Sequence, residues 1–311
     1  MGTPSVSVVV ATSNRTRLLA SLLESISSQR FRDFEVVLVE DSGSPERGRE
    51  VAEMVRGFSG RLRIRLLVNP RRLGIPRSLN RGVRASRGRI IAFTDDDCVV
   101  DELWLEKLTR WYSDPSVGGV GGRVVPTAER EAEWASQPRP YPDLVGRVLW
   151  DGTVVSNFDL DRGPLLVDCL PGANMSFRRE LVVGAGYFSP VYGGNAYRFE
   201  TDLALRVRRM GFKIIFDPQA VVYHRRAPVG GARVDVYEWN YWYGRNHTIF
   251  LLRCLRWGLV RVAVFAFKQL LRILRRERAC PYAEPRRWDR VMGALFRGIV
   301  EGLAVGFRYL V

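Results

Sequence analysis

Between Val6 and Tyr112 short β-branched runs alternate with stretches whose apolar residues recur at helical spacing, and this leaves few folds open. Residues 6–11, 34–39, 64–68 and 89–94 read as strands. Residues 17–28, a stretch opening at Pro45, 76–85 and 102–112 read as helices. Strands alternating with helices predict a mostly parallel sheet covered on both faces. Ligands of such sheets lie beyond the carboxyl ends of the strands. Three polar clusters fall at those ends: Thr12-Ser13-Asn14-Arg15, Glu40-Asp41-Ser42 and Asp95-Asp96-Asp97.

The acidic triplet is the sharpest of the three. Packing does not explain carboxylates at the end of a buried strand, because an unpaired buried carboxylate costs several kcal/mol or takes up a proton. A divalent cation removes the conflict, since Mg²⁺ or Mn²⁺ takes one or two carboxylates together with the oxygens of a diphosphate.

These residues resemble the family-2 glycosyltransferases, inverting enzymes of GT-A fold that use nucleotide-sugars. The resemblance covers roughly residues 5 to 250. Val8 to Arg15 is similar to the first strand and loop of that family, with Ser13 where the family keeps tyrosine. Glu40-Asp41-Ser42-Gly43-Ser44 resembles its nucleobase segment, and Asn69, Gly74 and Asn80 match the asparagine-rich stretch that follows. Asp95-Asp96-Asp97 stands at its Asp-x-Asp motif, which implies Asp95 at the ribose or metal, and Asp97 as a metal ligand on the diphosphate. The resemblance therefore implies donor contacts from Thr12, Asn14, Arg15, Asp41, Asn80, Asp95 and Asp96.

The second half is expected to carry the acceptor. Pro171-Gly172-Ala173-Asn174 resembles the segment that places an asparagine near the transferred sugar, so Gly172 and Asn174 are expected to face it. Arg198-Phe199-Glu200-Thr201-Asp202 looks like the Glu-Asp motif that opens a helix, and either Glu200 or Asp202 is the general base. His224 ends a strand that returns toward the acidic edge, where it could contact metal or diphosphate. Gly118-Gly119 and Gly121-Gly122 predict close backbone approach in the preceding strand. Residues 126 to 166, with Pro138, Pro140 and Pro142, read as an irregular acceptor-facing excursion.

Composition narrows the setting. With 46% hydrophobic and 26% charged residues the chain is globular rather than disordered. Cys98, Cys169, Cys254 and Cys280 are scattered without a Cys-x-x-Cys pair and there are two histidines, which argues against a zinc site and a secreted disulfide framework. No signal peptide and no transmembrane helix are expected. Of the net charge of +15, residues 245–311 hold +10, from thirteen Arg and one Lys against four acids. Residues 1–235 are thus expected to form a GT-A catalytic domain, about 1–112 for the nucleotide-sugar and 113–235 for the acceptor. Residues 236–311 are expected to be basic amphipathic helices that dock on an anionic membrane. One helix over 247–276 would gather Arg253, Arg261, Lys268, Arg272 and Arg275 on one face, and a second over 288–310 would carry a thin polar stripe.

The expected protein is a metal-dependent transferase, with Mg²⁺ or Mn²⁺, on the cytoplasmic face of the cell membrane. It moves sugar from a nucleotide-diphosphate donor to a lipid-linked, polysaccharide or glycoconjugate hydroxyl. A catalytically inactive membrane scaffold is the alternative. A sugar nucleotidyltransferase would need a glycine-rich phosphate loop after the first strand, where Ala11 to Arg15 stands instead. Nucleic acid is not an expected partner, since it would call for basic residues interleaved with aromatics along a groove.

Overall fold

A computed structural model describes residues 2–127, 129–227, 230–277 and 287–309. Cys280 and Leu310 lie outside the described residues. Strands β1 (Val6–Thr12), β2 (Phe34–Glu40), β3 (Ile64–Val68) and β4 (Ile90–Phe93) pair in parallel in the order β3-β2-β1-β4, as the alternating pattern predicts. Helices α1 (Thr16–Ser27), α2 (Pro45–Arg56) and α3 (Ile75–Ala85) connect them. Pro45 opens α2 at its first turn, behind Ser44, whose hydroxyl accepts from the Arg47 amide. Val6, Val8 and Val10 pack on one face of the sheet and Val9 on the other, so this strand is apolar on both sides.

Beyond β4 the sheet becomes mixed. A short strand the sequence did not announce, β5 (Cys98–Val100), follows the acidic triplet, and α4 (Trp104–Thr109) comes after it. β6 (Val117–Pro126) leads into α5 (Glu129–Ser136), a small hairpin of β7 (Arg147–Val148) with β8 (Val154–Val155), and β9 (Leu165–Leu166). The expected excursion thus contains a helix and a hairpin. β10 (Met175–Arg178) inserts antiparallel between β4 and β6, and α6 (Arg179–Gly184) and α7 (Phe199–Arg209) follow it. β11 (Lys213–His224) runs parallel to β6 and antiparallel to β5. The glycines of β6 permit the close approach their sequence predicts. A Cβ at Gly122 would collide with the Ala220 carbonyl oxygen, and one at Gly119 would stand 2.7 Å from the Phe177 ring.

Three helices close the chain: α8 (Val236–Cys254), α9 (Gly258–Leu274) and α10 (Trp288–Gly306). The expected continuous helix over 247–276 is corrected here. Leu255 is extended (φ −127°, ψ 143°) and Trp257 is left-handed (φ 61°), so Arg253 is out of register with the cations of α9. Four of the five cations also have protein partners: Arg253 with Asp202, Lys268 with Asp151, Arg272 with Asn240, and Arg275 with Glu277 at 3.9 Å.

Candidate active site

The ends of β1, β2 and β4 meet along one edge. Turning there leaves Asp96 buried, where Thr12 Oγ1 (2.8 Å) and Arg15 Nη1 (2.9 Å) donate to it. Burial, helped by Asp97, pushes the Asp96 carboxyl up to about 6. Asp97 has the opposite balance. Burial alone would raise it, but His224 Nε2 at 3.1 Å, Arg15 at 3.1 Å and the Ala227 amide at 2.9 Å hold its carboxyl well below the usual carboxylate range. Asp95 is exposed at this edge; the surrounding protein and the charge of Asp97 push its carboxyl up.

β11 and the chain after it complete this edge. Pairing of His224 with Cys98 brings the imidazole onto Asp97. The following loop returns Arg233 Nη2 to 3.4 Å from Asp97, while Arg15 Nη2 donates to the Gly230 carbonyl. Gly231 (φ +54°) admits this contact, since a Cβ there would lie 2.7 Å from Arg15 Cζ. Arg233 and its loop gave no sequence signal, because their proximity to Asp97 depends on β11 pairing with β5.

At the β2 end Asp41 accepts from Asn69 Nδ2 (2.7 Å) and from the Leu73 and Gly74 amides, which makes it the anchor of the 69–74 loop. Glu40 Oε2 and Ser13 Oγ, by contrast, are buried without a hydrogen-bond partner among the described residues. Such orphans call for a group to fill them. Asn14 lies exposed in the left-handed region (φ 57°) at the turn between β1 and α1.

Three expectations are corrected. Asn80 does not face a donor: its amide donates to the Phe188 carbonyl and accepts from the Phe188 amide. Asn174 is fully buried, donating to the Arg123 and Ala220 carbonyls and accepting from Trp104 Nε1, so it ties strands together rather than meeting a sugar. Asp202 is buried between Arg206 (2.7 Å) and Arg253 (3.3 Å), with Cys254 Sγ donating at 2.8 Å. Those partners fill its lone pairs and remove it as a base. Gly172 is half-buried beside the Phe199 ring.

Glu200, two residues earlier on α7, stands differently. It is half-buried, and burial, with a further push from the charge of Asp95, raises its carboxyl to about 7 despite the nearby Arg198. Arg198 itself is left-handed (φ 79°) and buried, donating from Nε to His247 Nδ1 at 3.2 Å. His247, left without a role by its sequence, is therefore structural, and burial and Arg198 keep it neutral.

A mostly parallel α/β sheet of this order, with carboxylates and cations gathered at its strand ends, is the GT-A architecture of nucleotide-sugar-dependent transferases. Residues 7–182 match the model of "Glycosyl transferase family 2", and the chain belongs to that family. It is 26% identical over 231 residues to a glucosyl-dolichyl phosphate glucuronosyltransferase of Haloferax volcanii, covering 71% of this chain and 69% of that one. Against the protein y4gI of Sinorhizobium fredii identity is 27% over 253 residues, 74% of this chain but only 25% of the relative's length. The fold is shared with the mannosyltransferase PcManGT of Pyrobaculum calidifontis, solved with GDP-Man and Mn²⁺ (TM-score 0.59, 19% identity, 97% of this chain and 88% of that one). Among the described residues no helix is long and apolar enough to cross a membrane.

Proposed function

We infer that the protein transfers a sugar from a nucleotide-diphosphate donor to an acceptor hydroxyl with inversion, using Glu200 as the general base. The observation that carries this reading is the convergence of Asp95, Asp97 and His224 at one strand edge, with Glu200 close enough to feel Asp95. In a single displacement the acceptor oxygen bonds to the anomeric carbon from one face as the bond to the diphosphate oxygen breaks on the other. The hydroxyl proton passes to a Glu200 oxygen, and the nucleoside diphosphate departs. A base with a carboxyl near 7 suits proton removal at neutral pH, a contribution of about 10²–10⁴ in rate.

The donor set fits a divalent ion. Asp97 is ionised, and its carboxylate, the Cys98 sulfur and a His224 ring nitrogen lie within 4.8 Å of one another, with the exposed Asp95 just before them in the chain as a further carboxylate; the oxygen and imidazole ligands suit Mn²⁺. Such an ion, when bound, offsets negative charge on the leaving diphosphate. Arg15 and Arg233, beside Asp97, are placed to meet the phosphates, whereas Glu40 and Ser13 offer unfilled acceptor capacity at the nucleobase end. The acceptor is a hydroxyl on a lipid-linked or other glycan.

A thermal-shift panel tests this reading. UDP and GDP with Mn²⁺ or Mg²⁺ are expected to raise the melting temperature, and at 100 times Kd the stabilisation is about 2.7 kcal/mol. Asp97→Ala should remain folded, lose the metal-dependent part of the shift and lose transfer. Equal shifts with and without chelator in both proteins would refute the metal assignment.

A further inference from the structure

Helix α9 is apolar on two sides. Its inner side, Val262, Phe265, Gln269 and Ile273, is buried, and Phe265 packs 4.5 Å from the His247 ring centroid. Its outer side repeats at spacings of three and four: Val260, Ala263, Phe267, Leu270 and Leu274. On it Phe267 is 61% and Leu274 68% exposed, and Trp257, at the turn into the helix, is 75% exposed. Helix α10 repeats the arrangement. Val291, Leu295 and Ile299 are buried, while Met292 and Val300 face outward, Val300 at 65% exposure, and Phe307 is exposed in the turn after the helix. A surface helix of a globular protein needs one apolar stripe, so a second, on two neighbouring helices, calls for a further apolar phase.

Charge selects that phase. Arg256, Arg275 and Arg276 are exposed at the two ends of α9, Arg297 on α10 and Arg308 in the turn that follows it. A second copy of the chain would bring the same cations, within a segment of net charge +10, against one another. An anionic lipid surface neutralises them and accepts the aromatic and aliphatic side chains together. With seventeen residues, α9 is about 26 Å long and lies along such a surface rather than crossing it.

We propose that the outer stripes of α9 and α10, with Trp257 at the turn before α9, seat the enzyme in the interface of an anionic bilayer. The inference rests on the proposed function only in that it makes the acceptor membrane-borne. The contact differs from a cationic stripe acting alone: apolar side chains enter the interface, and the exposed arginines fix the preference for anionic lipid.

Co-sedimentation of the full chain with vesicles of phosphatidylcholine alone, or mixed with phosphatidylglycerol, tests it. The wild type is expected to pellet with the anionic vesicles and largely to remain in solution with the neutral ones. Phe267→Glu with Leu274→Glu should cut partitioning at least about tenfold. Arg275→Glu with Arg276→Glu, which breaks only the exposed Arg275–Glu277 pair, should cut it about fivefold per lost cation and lower its salt sensitivity. Melting temperature and nucleotide-dependent thermal shift, read without vesicles, should be unchanged in both variants, which separates failure of docking from failure of the transferase reading. Recovery of the wild type in the supernatant with every vesicle would overturn the proposal. So would a concentration-dependent dimer that Phe267→Glu dissociates while vesicle binding stays absent, since a second copy would then cover the stripe.

Discussion

Glu200 and Asp202 show how two carboxylates on one helical turn acquire different chemistry from their surroundings. Glu200 binds a proton more tightly when folded, its carboxyl raised from 4.5 to about 7. Its protonated form therefore contributes stability that is full below pH about 4.5 and is lost as pH rises through about 7. Glu200→Gln is expected to melt at a higher temperature than wild type at pH 8, by on the order of 1–3 kcal/mol of stability, with the gap closing toward pH 4. In wild type, kcat/KM should climb through pH about 7, and the Gln variant should lose about 10²–10⁴ in turnover at little cost in nucleotide affinity. A pH profile unchanged by the substitution would exclude Glu200 as the base. Asp202→Asn belongs to stability instead. It leaves Arg206 and Arg253 without their shared carboxylate, and an urea titration should show a loss of about 3–5 kcal/mol. A variant of normal stability but without turnover would return Asp202 to the chemistry.

At the scale of elements, α8 and α10 approach closely through small residues. A Cβ at Gly302 would lie 2.7 Å from the Arg245 carbonyl oxygen and 2.8 Å from Thr248 Cβ. Arg245 also pairs with Glu301 across this contact at 2.7 Å. Gly302→Ala should therefore push the helices apart and cost about 1–3 kcal/mol by thermal melting. Gly293→Ala, on the outer side of α10 with nothing within 4 Å of the added carbon, serves as the control. It should be neutral or stabilise by up to about 1 kcal/mol. Equal effects at both positions would mean that helix propensity, not packing, sets the outcome. The elements themselves were read from sequence with uneven success. β1 to β4 and their helices are apolar and periodic enough to read directly. β5 is three residues long and is a strand only because β11 returns beside it. The break at Leu255 to Trp257 has no proline and no helical glycine before Gly258, so the apolar periodicity runs on through it.

Across the whole molecule, the sequence by itself determined the class of sheet, the family, and the edge on which carboxylates and cations gather. Each rests on local signals, namely β-branched runs, helical spacing and acids at strand ends, which remain readable whatever the remote parts of the chain do. Tertiary structure alone decided which polar side chains on that edge are available. Asn80, Asn174 and Asp202 carry the residue types of a site, but Phe188, Trp104 and Arg253, between 51 and 108 positions away, engage them. Glu40 Oε2 stays unfilled beside Asp41, which anchors its loop, and Arg233 reaches Asp97 only after β11 has crossed the sheet. The same holds for the last helices, whose sequence shows basic and apolar periodicity but not which apolar side is covered. A side chain's chemistry is encoded at its own position, whereas its burial and its partners are set by residues that meet it only in the folded chain.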